Sequence, residues 1–423
     1  AVVQGLARVV ATLPPAGATD AGKRLVGVLT ARAGPLLQLP PGASGPSPSQ
    51  AAALAVELTL VGNVIKFMDQ FVSDGSTQLP GMAMLEAAWP VLNQVVENPG
   101  WYAEQAVADS VCDCYAYSLL SVKAAAASLV PQMVSAVVNI FEAHHHTSCL
   151  SVIAVAVEAF GGSGLKEARM QASKGASVEA VDAKAYVYNR SVPQGVEDQT
   201  VAGVLGAAIP AMTTAALKKV SAAPEEHELL SQLFTMAHTF LCFAPDLLCK
   251  SSALPALFGC ALCTTRRREV APVRAAVKFL SVLLHPGERA AQSSIWQACR
   301  PVVGQCVRHH GEELMVNCMM ALADSCPRQM LKTLGSVIFL MLQACRAQAQ
   351  SWFMSVIGRP DFPAAAGGGA AAAVLTEDDR KAICMIALKE PSLPQARFEA
   401  FVMDFAAMCR REATSDVLVA YQM

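Results

Sequence analysis

Two short motifs contain residue types that bind metals or carry redox chemistry. Cys260 and Cys263 form a Cys-x-x-Cys pair, and His144, His145 and His146 are consecutive. A structural zinc site needs a second pair of ligands at a suitable spacing, and none follows Cys263. Consecutive helical residues point about 100° apart, so the three histidines are not expected to converge on one ion. We therefore predict no metal site, and we predict that the two cysteines pack in the core.

The sequence contains no recognisable catalytic motif. A phosphate-binding loop is a glycine-rich turn between a strand and a helix, and no such segment occurs. The nucleophile elbow Gly-x-Ser-x-Gly and the zinc-protease helix His-Glu-x-x-His are also missing from the sequence. We therefore predict that the chain is not an enzyme and that it needs no cofactor.

Charge is unevenly distributed along the chain, although the net charge is only −2. Residues 51–122 contain eight acidic side chains and one basic side chain, whereas residues 250–311 contain nine basic and two acidic side chains. A chain with so small a net charge is not expected to bind nucleic acid directly. The two windows instead indicate separate surfaces of opposite charge, or ordinary solvated helix faces.

Two groups of charged residues are the candidate partner-binding sites. Asp109 and Asp113 are four residues apart, so on a helix they share a face. We predict that this pair binds a basic segment of a partner protein. Arg266, Arg267 and Arg268 form a basic cluster at a turn, and we predict that they bind an acidic or phosphorylated segment.

The elements that must position these residues are predicted to be helices throughout. Hydrophobic residues make up 53% of the 423 residues and aromatic residues only 6%, which excludes a disordered chain and disfavours an all-β fold. Apolar residues recur with the helical period of 3.6 in segment after segment. One such stripe consists of Leu54, Leu58, Val61, Ile65, Met68 and Val72. We predict an all-α fold.

Helix pairs recur at a regular interval. We expect first helices to begin near residues 21, 80, 128, 198, 246, 291, 327 and 376. Their partners are expected near 51–73, 102–122, 148–160, 225–243, 270–285, 311–325, 347–357 and 393–411. This interval, without insertions, is typical of HEAT or armadillo repeats, so the prediction is a HEAT-like solenoid of about eight pairs. Helix 1–13 is then the second half of a repeat, which predicts that the chain is part of a longer protein.

Composition divides the chain into repeats and insertions. The insertions lack an apolar face, so we expect them to be mobile surface segments that proteases cleave first. The predicted divisions are a truncated repeat with the first helix of the next (1–38), a Pro/Gly/Ser-rich insertion (39–50), HEAT-like repeats (51–161), a polar insertion (162–197), further HEAT-like repeats (198–357), an Ala/Gly-rich loop (358–375), and a C-terminal helix pair with a tail (376–423).

The cysteines and the apolar segments indicate the cellular compartment of the protein. Most of the 14 cysteines lie within apolar helical patterns, and no secretory signal precedes them, so we predict a reduced, intracellular protein. The longest uncharged run is Gln199–Leu217, which Pro210 interrupts. A transmembrane span needs about 20 predominantly apolar residues. A membrane protein is therefore kept only as a minor alternative.

Several segments resemble, in order and spacing, one family of helical-repeat proteins. The matching segments are Ala-Ala-Trp-Pro-Val-Leu at 87–92, Val-Asn-Ile-Phe at 138–141, Val-Glu-Ala-Phe-Gly at 157–161, Leu-Phe-x-Met-Ala-x-x-Phe at 233–240, Val-Arg-x-x-Val-Lys-Phe-Leu at 273–280 and Met-Asp-Phe at 403–405. In this order they resemble the C-terminal half of the importin-β (karyopherin-β) family, in its transportin-SR and importin-thirteen branch. The similarity extends, with gaps, from about residue 50 to residue 411.

The resemblance implies a nuclear transport receptor, with import as its expected direction, that shuttles between nucleus and cytoplasm. It implies protein cargo, nuclear pore proteins and the small GTPase Ran as partners. The principal Ran–GTP site of such receptors lies in N-terminal repeats that this chain does not contain. The second helix of each pair lines the concave face. A static HEAT-repeat scaffold or adaptor has the same core and remains the alternative, because the two classes differ only in their partners.

One departure from the family concerns the cargo. In transportin-SR an arginine-rich second helix binds phosphorylated serine/arginine-rich segments, and the matching helix here is 104–122. Its arginine positions correspond to Asp113, Ala116 and Leu120, none of which is basic. The resemblance therefore does not carry serine/arginine-rich cargo over to this helix.

Overall fold

The computed structural model describes residues 2–40, 42, 45–68, 79–161, 201–363 and 375–422. Every regular element in these ranges is a helix, which confirms the predicted all-α class. The chain forms two compact units, Ala1–Ala222 and Ala223–Met423. The insertion at 162–197 and the Ala/Gly run at 364–373 lie outside the described residues, as do residues 41, 43 and 44 of the first insertion, so the predictions made for them stay predictions.

The first unit is built from two rows of helices. Helices α1, α3, α6 and α8 pack side by side in one row; in the other row α2 packs on α4, and α7 packs on α9. Consecutive helices across the rows are also in contact, as in a HEAT-like repeat stack. The described helices of this unit are α1 (Val2–Val10), α2 (Pro15–Leu36), α3 (Pro48–Lys66), α4 (Pro80–Val96), α5 (Pro99–Tyr102), α6 (Gln105–Val122), α7 (Val130–His144), α8 (Thr147–Phe160) and α9 (Val201–Ala222).

Proline and small polar residues set the start of these helices. Pro15, Pro48 and Pro80 each occupy the first turn of a helix, where no backbone N–H is needed. The side chain of Ser47 accepts a hydrogen bond from the Gln50 backbone N–H and so caps α3. The element boundaries near 48 and 80 therefore follow from local chemistry.

The second unit repeats the two-row arrangement. Helices α10, α13, α16 and α19 form one row, and in the other row α11 and α12 pack on α15, α15 on α17, and α17 on α18. The described helices are α10 (His227–Phe243), α11 (Pro245–Lys250), α12 (Leu254–Thr264), α13 (Val270–Leu284), α14 (Glu288–Ala291), α15 (Ser294–Met320), α16 (Leu331–Ala344), α17 (Arg346–Ile357), α18 (Glu377–Ala387), α19 (Gln395–Cys409) and α20 (Val419–Gln422). The predicted HEAT-like class is thus confirmed.

The predicted pairing is wrong between residues 291 and 357. The two helices expected near 291 and at 311–325 are one continuous helix, α15, of 27 residues. As a result α16, predicted to be a first helix, lies in the row of second helices, and α17 lies in the opposite row. This part of the chain therefore contains three helices instead of the four predicted.

Packing explains why α15 is not interrupted. Pro301, Gly304 and Gly311 lie within it, although proline and glycine usually weaken a helix interior. The ring of Trp352 on α17 occupies the space that a side chain at Gly311 would fill. Glycine thus permits the close approach of α15 and α17, and the tertiary contact outweighs its low helix propensity.

Two described helices, α3 and α9, are long and apolar enough to cross a membrane by length and composition alone. A helix buried in the core of a soluble protein can have the same length and apolar composition. Helix α3 packs against α2 and α6, and its Leu54, Leu58 and Ile65 are fully buried in that contact. Packing within the unit accounts for the apolar character of α3.

Candidate partner-binding surfaces

The acidic pair is positioned by a seam of small residues between α3 and α6. Ser110 donates a hydrogen bond to the Ala55 carbonyl, Cys114 to Leu58, and Ser121 to Ile65, at 3.1, 3.2 and 3.2 Å. Gly62 on α3 faces Cys114, and a Cβ at Gly62 would stand 3.3 Å from the Cys114 sulfur. The small side chains let the helices approach closely and fix the rotation of α6.

This rotation leaves an acidic strip along one side of α6. Asp109 and Asp113 directly precede the seam residues Ser110 and Cys114, so they lie about 100° away from the seam. Asp113 is exposed and Asp109 is half-buried. The Lys66 ammonium at the end of α3 lies 4.6 Å from the centroid of the Tyr117 ring, one turn after Asp113. We call Asp109, Asp113 and Tyr117 with Lys66 the acidic strip.

The two carboxylates interact with each other. Desolvation raises the pKa of Asp113, the negative charge of Asp109 raises it further, and Lys66 acts in the opposite direction. Two like charges this close are poised to accept a cation, since a bound Lys or Arg side chain relieves their repulsion. Sequence reasoning found the pair but missed Lys66 and Tyr117, because only the crossing of α3 and α6 brings them to the strip.

The other described acids of the window do not share this face of α6. Glu57 is buried and forms an ion pair with Arg32 of α2, so it adds no charge to the surface. Glu86 on α4 and Glu97 directly after it are exposed and belong to the other row, and Glu104 precedes α6, about 140° around the helix from Asp109. Asp69 and Asp74 lie outside the described residues. Among the described acids of the window, the strip is therefore a local site of two.

The basic cluster lies in the loop between α12 and α13. Arg266 and Arg268 are exposed, and no ion pair within the described residues engages them. The Arg267 guanidinium instead donates a hydrogen bond to the Pro224 carbonyl just before α10. The Asn317 amide donates to the Leu262 carbonyl and holds the end of α12. Two of the three arginines are thus available to a partner, and the third positions the loop.

The histidine and cysteine motifs adopt a different geometry from that expected. Helix α7 ends at His144, and His145 takes the left-handed conformation with φ of 60°. The rings of His144 and His146 then stack, with centroids 5.5 Å apart, so the assumption of three consecutive helical residues is wrong. Cys260 is half-buried and Cys263 is exposed, so the predicted core packing of both is also wrong.

Metal-ligating side chains do not converge elsewhere in the described ranges. Among these residues, no group of three or more His, Cys, Asp or Glu side chains could hold a metal ion. Both His144 and His146 instead contact Tyr102 of α5: the His144 ring lies edge-on to the Tyr102 ring, and His146 Nε2 lies 3.1 Å from the Tyr102 carbonyl oxygen. The pair therefore serves to join α5 to the α7–α8 turn.

Two family models match segments of the chain. Residues 79–172 match the transportin-3/importin-13 fourth TPR domain, and residues 266–349 match the importin 13 repeat. The first segment contains the acidic strip on α6, and the second begins at the basic cluster. These matches confirm the resemblance to the importin-β family.

A solved structure has the same fold. It is described as importin13 in its cytosolic state, with a TM-score of 0.71 and 13% sequence identity over 97% of this chain. At this identity the likeness shows the fold alone. The chain spans 40% of the length of that importin13 chain.

Proposed function

We propose that this chain, with its transportin-3 and importin-13 repeats, is a cargo-binding solenoid of a karyopherin-β-type nuclear transport receptor that imports proteins. The supporting observation is that the two matched segments, 79–172 and 266–349, contain both candidate surfaces. The proposed partners are protein cargo, nuclear pore proteins and the small GTPase Ran. The receptor shuttles between nucleus and cytoplasm and has no catalytic role.

The acidic strip is proposed to bind a basic segment of the cargo. Asp109 and Asp113 are one helical turn apart, which suits Lys or Arg side chains of one segment. The exposed Arg266 and Arg268 are proposed to bind an acidic or phosphorylated segment. Such exposed charges act mainly on the association rate and on partner choice.

Entry into nuclei tests the transport role directly. The fluorescently labelled chain and an inert protein of equal mass, 44.4 kDa, are added to permeabilised cells. A chain that interacts with nuclear pore proteins is expected to label the nuclear rim and to enter nuclei faster than the inert protein. Equal entry rates and no rim signal would contradict the proposal and favour a static repeat scaffold, which has no reason to contact the pore.

A further inference from the structure

A groove of about 680 Å³ lies beside α15 in the second unit. Its walls come from the C-terminal end of α13, from one face of α15 and from the turn between α16 and α17. Its apolar residues include Leu283, Trp296 and Val307. Its volume falls within the range of about 300–1,000 Å³ that is usual for ligand sites.

The charged side chains at the groove have one sign. Arg300 and Arg308 line it, and no Asp or Glu is among the described lining residues. The Arg300 guanidinium donates to the Ala291 carbonyl at 2.9 Å, a contact that leaves its positive charge uncompensated. An anionic group in the groove would face these two guanidinium groups, which suit carboxylates well.

Gly304 lies between the two arginines on α15. Leaving aside the adjacent residues and the backbone of α15 itself, a Cβ at this position would come within 4 Å of one atom, Arg308 Nη1, at 3.4 Å. The missing side chain therefore lets the Arg308 guanidinium lie close against α15 in the groove. Apolar contact flanked by charged groups is the usual composition of a peptide-binding pocket.

We propose that this groove binds an extended acidic segment of a partner protein. In this segment, one acidic side chain lies on each side of an apolar one. Arg300 and Arg308 are eight residues apart on α15, which corresponds to about 12 Å along the helix. An extended peptide covers this distance in about four residues, and its alternate side chains point to the same side. The geometry points to the pattern acid–x–apolar–x–acid, with the apolar side chain against the wall that Leu283, Trp296 and Val307 form.

The inference goes beyond the transport role, because it requires only the second unit's groove. It is also separate from the basic cluster, whose Arg266 and Arg268 lie in the α12–α13 loop and are not among the groove's lining residues. Failure of nuclear entry would leave it intact, and absence of peptide binding would leave the transport role intact.

Binding of a synthetic peptide to the full chain tests the proposal. The probe is a labelled, glycine-flanked Asp-Ser-Leu-Ser-Asp peptide, followed by fluorescence anisotropy at low salt. We expect saturable binding below about 1 mM, and about tenfold weaker binding when Asn replaces both Asp or Ala replaces Leu. No saturation at about 1 mM, or equal affinity for the uncharged peptide, overturns the proposal.

Two variants, each with a control, test whether the peptide binds in this groove. Gly304→Leu places a side chain where the Arg308 guanidinium lies and should weaken binding about tenfold, while Gly259→Leu on α12, where a Cβ meets nothing within 4 Å outside its own helix, should leave it unchanged. Arg308→Gln should weaken binding about threefold or more, and Arg274→Gln, at an exposed position of α13, should not. Unchanged affinity of Arg308→Gln overturns the proposal even if Gly304→Leu is unstable.

Discussion

Asp109 and Asp113 are a pair because α6 is rotated by its contact with α3. Their position away from the seam means that neither side chain contributes to the packing of the two helices. We therefore expect Asp109→Asn with Asp113→Asn to leave the melting temperature unchanged. The same double change should weaken binding of a basic cargo segment about three- to tenfold, as two exposed ion pairs contribute roughly 0–1 kcal/mol each.

The control for this variant removes the same charge elsewhere in the unit. Glu86→Gln on α4, with Glu97→Gln directly after that helix, changes two exposed acids in the other row. Affinity is measured by titration of a labelled Lys/Arg peptide at low and at high salt, because exposed pairs are screened by salt. Equal affinity of both double variants and the unchanged chain would mean that the acidic strip is only a solvated surface.

Glu399 is a buried carboxylate whose charge is held by neighbours on α16 and α19. Burial opposes its ionisation, but hydrogen bonds from Ser336 and Gln395 and the Lys332 ammonium outweigh this, so its pKa lies below the usual value. A depressed pKa contributes stability that is present above the unfolded-state pKa of about 4.3 and is lost as pH falls through the folded value.

We predict that Glu399→Gln lowers the free energy of unfolding by about 1–3 kcal/mol at neutral pH. The difference between the two proteins should shrink as pH falls below the unfolded-state pKa of about 4.3, because the unfolded chain then takes up a proton more readily than the native carboxylate does. Urea unfolding across this pH range measures the effect, with the exposed Glu377→Gln as control. A difference that stays constant down to strongly acidic pH would show that lost packing, and not charge, is responsible.

At the scale of elements, Arg410 joins the end of α19 to the segment that follows α15. Residues Ala321–Ser325 continue α15 as one π-helical turn, closed by a hydrogen bond from the Cys326 N–H to the Ala321 carbonyl. Arg410 Nε donates to the Leu322 carbonyl at 2.9 Å, and Nη2 donates to that of Cys326 at 2.8 Å. Charge-assisted hydrogen bonds of this kind satisfy the backbone carbonyl groups at the C-terminal end of a helix that have no partner within the helix.

Arg410→Ala should therefore lower the free energy of unfolding by about 2–3 kcal/mol, because it leaves partly buried carbonyl groups unpaired. The neighbouring Arg411 is exposed, and Arg411→Ala should change stability much less. Chemical unfolding followed by circular dichroism compares the two variants. Similar losses in both would indicate that the Arg410 contacts are not what holds the turn.

The elements show which features a sequence predicts and which it does not. The starts of α3 and α4 follow from Pro48, Pro80 and the Ser47 cap, which act within a few residues. The continuity of α15 depends on Trp352, which is some 40 residues away from Gly311 in sequence, so local signals favour a break that packing overrides. The acidic strip is predicted only in part. The helical period places Asp109 and Asp113 on one face of α6, but only the crossing of α3 and α6 brings Lys66 next to Tyr117.

On the scale of the whole molecule, the opposite charges of the sequence belong to different units. The acidic strip lies in Ala1–Ala222 and the basic cluster in Ala223–Met423. Each unit has its own two-row core, so the acidic strip and the basic cluster can be altered independently of each other. Variants of Asp109 and Asp113 should thus leave binding of an acidic segment unchanged, and variants of Arg266 and Arg268 should leave binding of a basic segment unchanged.

The cysteines of the whole chain are expected to remain thiols. None of the fourteen forms a disulfide; nine are buried, four are half-buried and only Cys263 is exposed. Burial raises the pKa of Cys326 to about 11 and that of Cys409 to about 12, which keeps them protonated and unreactive at neutral pH.

A chromogenic disulfide reagent should therefore modify one thiol rapidly in the native protein, and Cys263→Ser should abolish this fast phase. In denaturant without reductant, all fourteen thiols should react. A smaller number would reveal a disulfide, and a fast phase that survives Cys263→Ser would show that a half-buried thiol is more accessible than its packing implies.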